Sequence, residues 1–149
     1  EKVLSLINSK LRNRDIHVIK NTQDVEVTAL INEFIQVLIN ILNNSLDAFE
    51  EQNLEKKFIF LDLYKENNSL VLIIKDNAGG IKEELLGRIF EPYFTTKHKS
   101  QGTGIGLYMS LEIIKKHMNG DINVSNEEYI YDNIKCKGAQ FKIELPIKE

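Results

Sequence analysis

The stretch from Leu30 to Phe49 constrains this chain more than any other. It carries Leu30, Ile31, Phe34, Ile35, Val37, Leu38, Ile39, Ile41, Leu42, Leu46 and Phe49, and so reads as a helix apolar around most of its circumference. Such a helix has to be buried, and 149 residues make one domain with one core in which to bury it. Glu33, Gln36, Asn40, Asn44 and Asp47 interrupt the apolar surface within a sector of roughly 80°, at about 100° per residue. Buried polar groups are costly unless partnered. The stripe is therefore either a solvated face or the lining of a polar cavity.

The rest of the chain supplies material to cover that helix. Phe58–Tyr64 and Leu70–Lys75 read as strands joined by the Asn67-Asn68-Ser69 turn, a hairpin pattern. Ile16 and Val18, then Val25 and Val27, predict two short strands about a polar turn at Asn21–Asp24. Val3, Leu4, Ile7 and Leu11 keep helical spacing, and Thr28 is placed to cap the long helix. Lys82–Phe90 is expected to form a short helix, and Thr103–Met118 a longer one stopped by Asn119-Gly120. Beyond it, Asp121–Ser125, Tyr129–Lys135 and Ala139–Leu145 alternate like a three-strand meander. Helices and strands mix without strict alternation, which favours an α+β two-layer sandwich.

Composition removes several classes of function. A formal charge of −3 leaves no polybasic footprint, so neither nucleic acid nor an anionic membrane is an expected partner. One cysteine, Cys136, permits no internal disulfide and no cysteine-rich zinc site, which fits a reducing cytoplasm. No apolar run reaches membrane-spanning length. The chain opens at Glu1 rather than Met and reads as a fragment.

Two segments carry chemistry. Leu70, Leu72, Ile74 and Asp76 share strand parity, so Asp76 is aimed at the apolar face and needs donors there. By itself this is also how a strand ends in an Asp-Asn-Gly type of turn. The second segment is Gly102-Thr103-Gly104-Ile105-Gly106-Leu107 opening a helix, where backbone N–H groups and a positive helix end suit phosphate. It is not a P-loop, because no Gly-Lys-Ser/Thr follows. Nor is it a dinucleotide fingerprint, because Lys97-His98-Lys99-Ser100-Gln101 precedes it in place of an apolar strand.

Four elements stand in order: the Asn-bearing helix, Asp76-Asn77-Ala78-Gly79-Gly80, Phe90-Glu91-Pro92-Tyr93-Phe94-Thr95-Thr96-Lys97, and Gly102–Leu107. Together they resemble the nucleotide-binding catalytic domain of bacterial sensor histidine kinases, within the gyrase, heat-shock chaperone, histidine kinase and mismatch-repair ATPase superfamily. The resemblance covers about Leu4 to Pro146. It implies a fold of the Bergerat ATP-binding type, a mixed sheet of about five strands covered by about three helices. The whole chain, 1–149, would then be one ATP-binding catalytic domain without its dimerisation and phosphoacceptor domain.

The resemblance also implies roles. Asn40-Ile-Leu-Asn-Asn44-Ser is similar to the family's N box, which makes Asn44 the Mg²⁺ ligand; an amide oxygen suits that ion. ATP-hydrolysing relatives carry glutamate where Asn40 stands, and an amide is no general base, which favours a kinase. Asp47 would make a hydrogen bond or salt bridge behind the metal ligand. Asp76 would accept from the adenine amino group, with Gly80 and Ile81 lying along the base; Ala78 stands where the usual pattern has glycine. Lys97, in the ATP lid, would join Asn44 and Asn40 as a catalytic group reaching the phosphates. Gly102, Thr103, Gly104, Ile105, Gly106 and Leu107 would cradle the triphosphate. Phe90, Tyr93 and Phe94 would anchor the base of the lid by packing, Phe90 also as core, and Gly138 matches the last glycine box only loosely.

None of His17, His98 and His117 has the flanking acid of a phosphoacceptor histidine, so the acceptor is expected on a separate domain. The implied reaction moves the γ-phosphoryl of Mg-ATP to that histidine, on the dimerisation domain of the same kinase, and from there to a response regulator. The implied location is cytoplasmic, whether or not the parent is anchored to a membrane. A superfamily ATPase, or a nucleotide-sensing interaction module without phosphotransfer, are the alternatives.

Overall fold

The computed structural model describes residues 16–22, 31–50, 54–91 and 106–146. Its centre is the expected hairpin: β2 (Lys57–Glu66) runs antiparallel to β3 (Ser69–Asp76). Asn67, with φ of 55°, takes the left-handed conformation that the tight connection needs. On the far side of β2 lies β1 (Ile16–Thr22), in parallel, which makes the sheet mixed. The remaining strands are β4 (Asp121–Tyr131) and β5 (Ile134–Pro146). The five strands take the order β1-β2-β3-β5-β4.

Register collects the apolar residues on one face. Leu61 and Leu63 of β2 lie opposite Ile74 and Leu72 of β3, which lie in turn opposite Phe141 and Ile143 of β5. Among the described residues two helices cover this face, α1 (Ile31–Glu50) and α2 (Gly106–Glu112), in an α+β two-layer sandwich. Val37, Ile41, Leu42, Leu46 and Phe49 of α1 are each at most 2% exposed, as its apolar surface requires. Among the described residues no helix is long and apolar enough to cross a membrane.

The second helix ends in an unusual way. It widens into one π turn, Ile113–His117, burying Ile113 and Ile114. Asn119 then turns left-handed at φ 54°, and the Gly120 amide donates to the Ile114 carbonyl at 2.8 Å. Gly120 is needed for close approach: a Cβ there would lie 2.4 Å from the Glu144 carbonyl oxygen. The stop falls where the sequence expects it.

Other expectations need correction. Asn21 and Thr22 continue β1 instead of forming a turn, and Val25, Val27, Thr28 and the helix over Val3–Leu11 lie outside the described residues. Two α-helices are thus described, against about three expected. Residues 82–91 form no α-helix; they make a 3₁₀ turn, Glu83–Leu85, and further i→i+3 bonds such as Arg88 N to Leu85 O at 2.9 Å. The three-strand meander is two long strands. Its supposed middle strand contains Asp132 and Asn133, both at positive φ (51° and 61°), the pair a two-residue hairpin turn demands.

That turn sends the β4–β5 hairpin past the end of β3. The β3–β5 ladder stops at Lys75–Gln140, whereas β4 and β5 stay paired out to Tyr131–Ile134. The projecting tip lays Tyr129, Tyr131, Ile134 and Cys136 against Phe58 and Phe60. Those phenylalanines alternate with Ile59, which is buried under the helices, so this second cluster covers the opposite face. Its rings pack edge-on, Phe60 against Tyr129 at 5.5 Å and against Tyr131 at 5.0 Å.

Candidate functional site

Strand parity delivers Asp76 to the helix-covered face, 3% exposed. Three donors meet it. Ser45 Oγ of α1 donates to Oδ2 at 2.8 Å, while the backbone amides of Ala78 and Ala139 donate to Oδ1 at 3.0 and 3.2 Å. Burial pushes the carboxyl above the ordinary aspartate range, and these three bonds pull the other way. Oδ1 is fully used; Oδ2, with one donor, can take another from a ligand.

The residues after Asp76 leave the sheet without fraying it. Asn77 acts as a surrogate strand: its Oδ1 accepts from Phe58 N at 2.8 Å and its Nδ2 donates to Lys56 O at 3.0 Å. Ala78 fits where glycine is usual because the positive φ angles fall one and two residues later, at Gly79 (97°) and Gly80 (84°). Gly79 N donates to Lys137 O at 2.8 Å. Asn126 of β4 grips Ile81 at both backbone groups, with Ile81 N to Asn126 Oδ1 at 2.7 Å. Gly80 and Ile81 are half-buried.

On α1, Asn40, Asn44 and Asp47 are half-buried along the expected stripe. Asn40 Nδ2 donates to Gly106 O at 3.1 Å and to Ser110 Oγ at 3.2 Å, and its Oδ1 accepts from Gln36 at 2.9 Å. It therefore joins α1 to the first turn of α2, where the glycine-rich run ends. One turn on, nothing among the described residues hydrogen-bonds the Asn44 amide. No group of three His, Cys, Asp or Glu among the described residues could hold a metal. An amide oxygen beside phosphate oxygens and waters is nonetheless a normal Mg²⁺ shell. Leu107 packs on the core from α2. Lys97, Gly102, Thr103, Gly104 and Ile105, with Tyr93, Phe94 and His98, lie outside the described residues. Of the other histidines, His117 pairs with Glu33 at 2.7 Å, and His17 on β1 is exposed, with its ring beside that of Phe58.

Sequence reasoning missed Ser45, Ser110, Asn126 and Tyr129. Ser45 had a signal, a lone hydroxyl among Ile41, Leu42, Leu46 and Phe49 on the buried side of the helix. Asn126 and Tyr129 had none, because their partners depend on where the hairpin tip comes to rest.

Comparison with known proteins agrees with this geometry. The family of histidine kinase-, DNA gyrase B- and HSP90-like ATPases matches residues 30–149. The two-component sensor PprA of Pseudomonas aeruginosa is 34% identical over 99% of this chain, and sporulation kinase E of Bacillus subtilis 37% over 79%. The matched regions span only 16% and 14% of those two proteins. The nucleotide-free catalytic domain of histidine kinase ThkA superposes with a TM-score of 0.80 at 29% identity, covering 98% of this chain and 88% of that one. The chain therefore belongs to the histidine kinase-, DNA gyrase B- and HSP90-like ATPase family, among the catalytic domains of sensor histidine kinases.

Proposed function

We propose that the chain binds Mg-ATP between α1 and the Asp76–Ile81 loop and donates the γ-phosphoryl group to a histidine on a separate dimerisation domain of its parent kinase. A response regulator then takes the phosphoryl group; ThkA itself has been solved with its response regulator TrrA, and that ThkA chain superposes on this one with a TM-score of 0.74 at 26% identity. The observation that carries the reading is Asp76: a buried carboxylate, its Oδ1 filled by backbone and its Oδ2 open to one more donor, beside two glycines at positive φ.

In this reading the adenine amino group donates to Asp76 Oδ2, and Gly80 and Ile81 border the base. Asn44 would hold Mg²⁺ through its amide oxygen, backed by Asp47, and the ion would supply positive charge to the phosphates. Gly102, Thr103, Gly104, Ile105, Gly106 and Leu107 wrap the triphosphate, and Lys97 reaches it from the lid. Phosphoryl transfer asks the protein mainly for position and charge. Asn40 offers no base to activate water, which suits transfer to histidine over hydrolysis. The parent would work with this domain in the cytoplasm.

The test supplies the parent's dimerisation domain and follows labelled ATP. The histidine of that domain becomes labelled, and the chain alone hydrolyses little. Asn44→Ala abolishes transfer but leaves adenosine binding intact. Brisk hydrolysis without labelling would make the chain an ATPase, and normal transfer by folded Asn44→Ala would remove Asn44 from the metal.

A further inference from the structure

The loop that carries Asp76 is gripped chiefly from the hairpin, not from the helices. On the helix side, among the described residues, the polar tether is Ser45. From β4 and β5 come Ala139 N to Asp76 Oδ1, Lys137 O from Gly79 N, and Asn126 to Ile81. A fourth tether comes from the opposite face of the sheet: Tyr129 Oη donates to the Asp76 carbonyl at 2.6 Å. That same carbonyl is pressed by β5, where a Cβ on Gly138 would come within 1.8 Å of its oxygen. The Asp76 backbone is thus boxed between a glycine that cannot be enlarged and a phenol that holds it.

The phenol is itself fixed. Its ring stands edge-on to Phe60 at 5.5 Å, with Lys75 Nζ 4.1 Å from its centroid. Burial pushes its ionisation upward, so it remains a donor through the neutral range. Hydrogen bonds weaken steeply as their angle departs from linear. A carboxylate that has to meet one exocyclic amine therefore depends on how firmly its own backbone is held.

We infer that Tyr129 is a positioning residue for purine recognition, acting through the Asp76 carbonyl to aim the carboxylate at the six-position of the base. This rests on the reading of Asp76 as the adenine acceptor, and the test separates the two. ADP and its analogue lacking the six-amino group, purine riboside diphosphate, are titrated calorimetrically into the wild-type chain and into Tyr129→Phe. That variant keeps the ring and its packing, and thermal unfolding checks its fold. The wild type prefers ADP. Tyr129→Phe binds ADP about three- to tenfold more weakly, the scale of one hydrogen bond, and binds the analogue unchanged, so its preference shrinks. Equal loss on both ligands, or an unaltered preference, would make Tyr129 merely structural and overturn the inference. A wild type with no preference for ADP would instead overturn the role of Asp76, and this inference with it.

Discussion

The two faces of the sheet are built by different rules. The face under α1 and α2 is a continuous apolar layer in which Leu61, Ile74 and Phe141 meet by register. The other face is covered locally, by a hairpin tip that folds its tyrosines back over Phe58 and Phe60. The first face is written in residue periodicity, which is local. The second depends on where a turn falls, and so on the whole path of the chain before it. The site lies on the first face and is held there mainly by the β4–β5 hairpin, with one tether, Tyr129, reaching it from the second.

Substitutions can break this contrast. Phe141→Ala, in the main core at 1% exposure, should cost about 3–5 kcal/mol. Phe60→Ala, in the satellite cluster at 9% exposure, should cost nearer about 2 kcal/mol because that site can relax toward solvent. Equal losses in urea unfolding would mean that the two clusters are one core. Gly138→Ala pits a methyl against the Asp76 backbone and should cost about 3 kcal/mol, the upper part of the overpacking range. If calorimetry shows it stable and binding ADP normally, β5 does not press on the site.

Asp76→Asn should weaken ADP binding by about 2 kcal/mol, since it puts a donor where an acceptor is needed. Its effect on stability should have the opposite sign. The carbonyl of asparagine still serves Ala78 and Ala139, and Ser45 can turn from donor to acceptor. The folded-state pKa of Asp76 lies above the ordinary 3.8. Stability tied to its protonation is therefore complete below that value and lost as pH climbs through the raised one. The variant should accordingly gain on the parent between pH 3.8 and neutrality, read as the difference in their unfolding midpoints across that range. A variant less stable than the parent at pH 7 would mean that the carboxylate's hydrogen bonds outweigh its burial. The smallest effect is at Ile130, 71% exposed on the tip; Ile130→Ser should change stability by less than about 0.5 kcal/mol.

Much of this was legible in the sequence. The long helix, the β2–β3 hairpin, the burial of Asp76 and the stop at Asn119–Gly120 follow from period, parity and cap chemistry. The β4–β5 hairpin was misread because Tyr129–Lys135 alternates well enough to pass for one strand. Its Asp132-Asn133 turn lacks the glycine that usually marks such a turn. Residues 82–91 have helical composition, yet the chain takes the tighter turn that seats Ile89 in the core and Phe90 against Phe141. Ser45 and Asn126 matter through partners 31 and 45 residues away, and no local pattern carries that distance.

Asn40 bears on how easily this framework could change trade. Its amide gives both hydrogens to α2 and takes one from Gln36, so every polar atom of the side chain is committed. A glutamate there would bring a base for water but aim negative oxygen at the Gly106 carbonyl and at Ser110 Oγ, each of which now accepts one hydrogen from the amide. In the proposed kinase, gaining an acid at Asn40 would therefore also disturb the link between α1 and α2. Ser110 Oγ, which already donates to the Gly106 carbonyl at 2.9 Å, would have to turn toward the acid and leave that carbonyl short of a donor, so the link between the helices and the choice of reaction are tied through one hydroxyl.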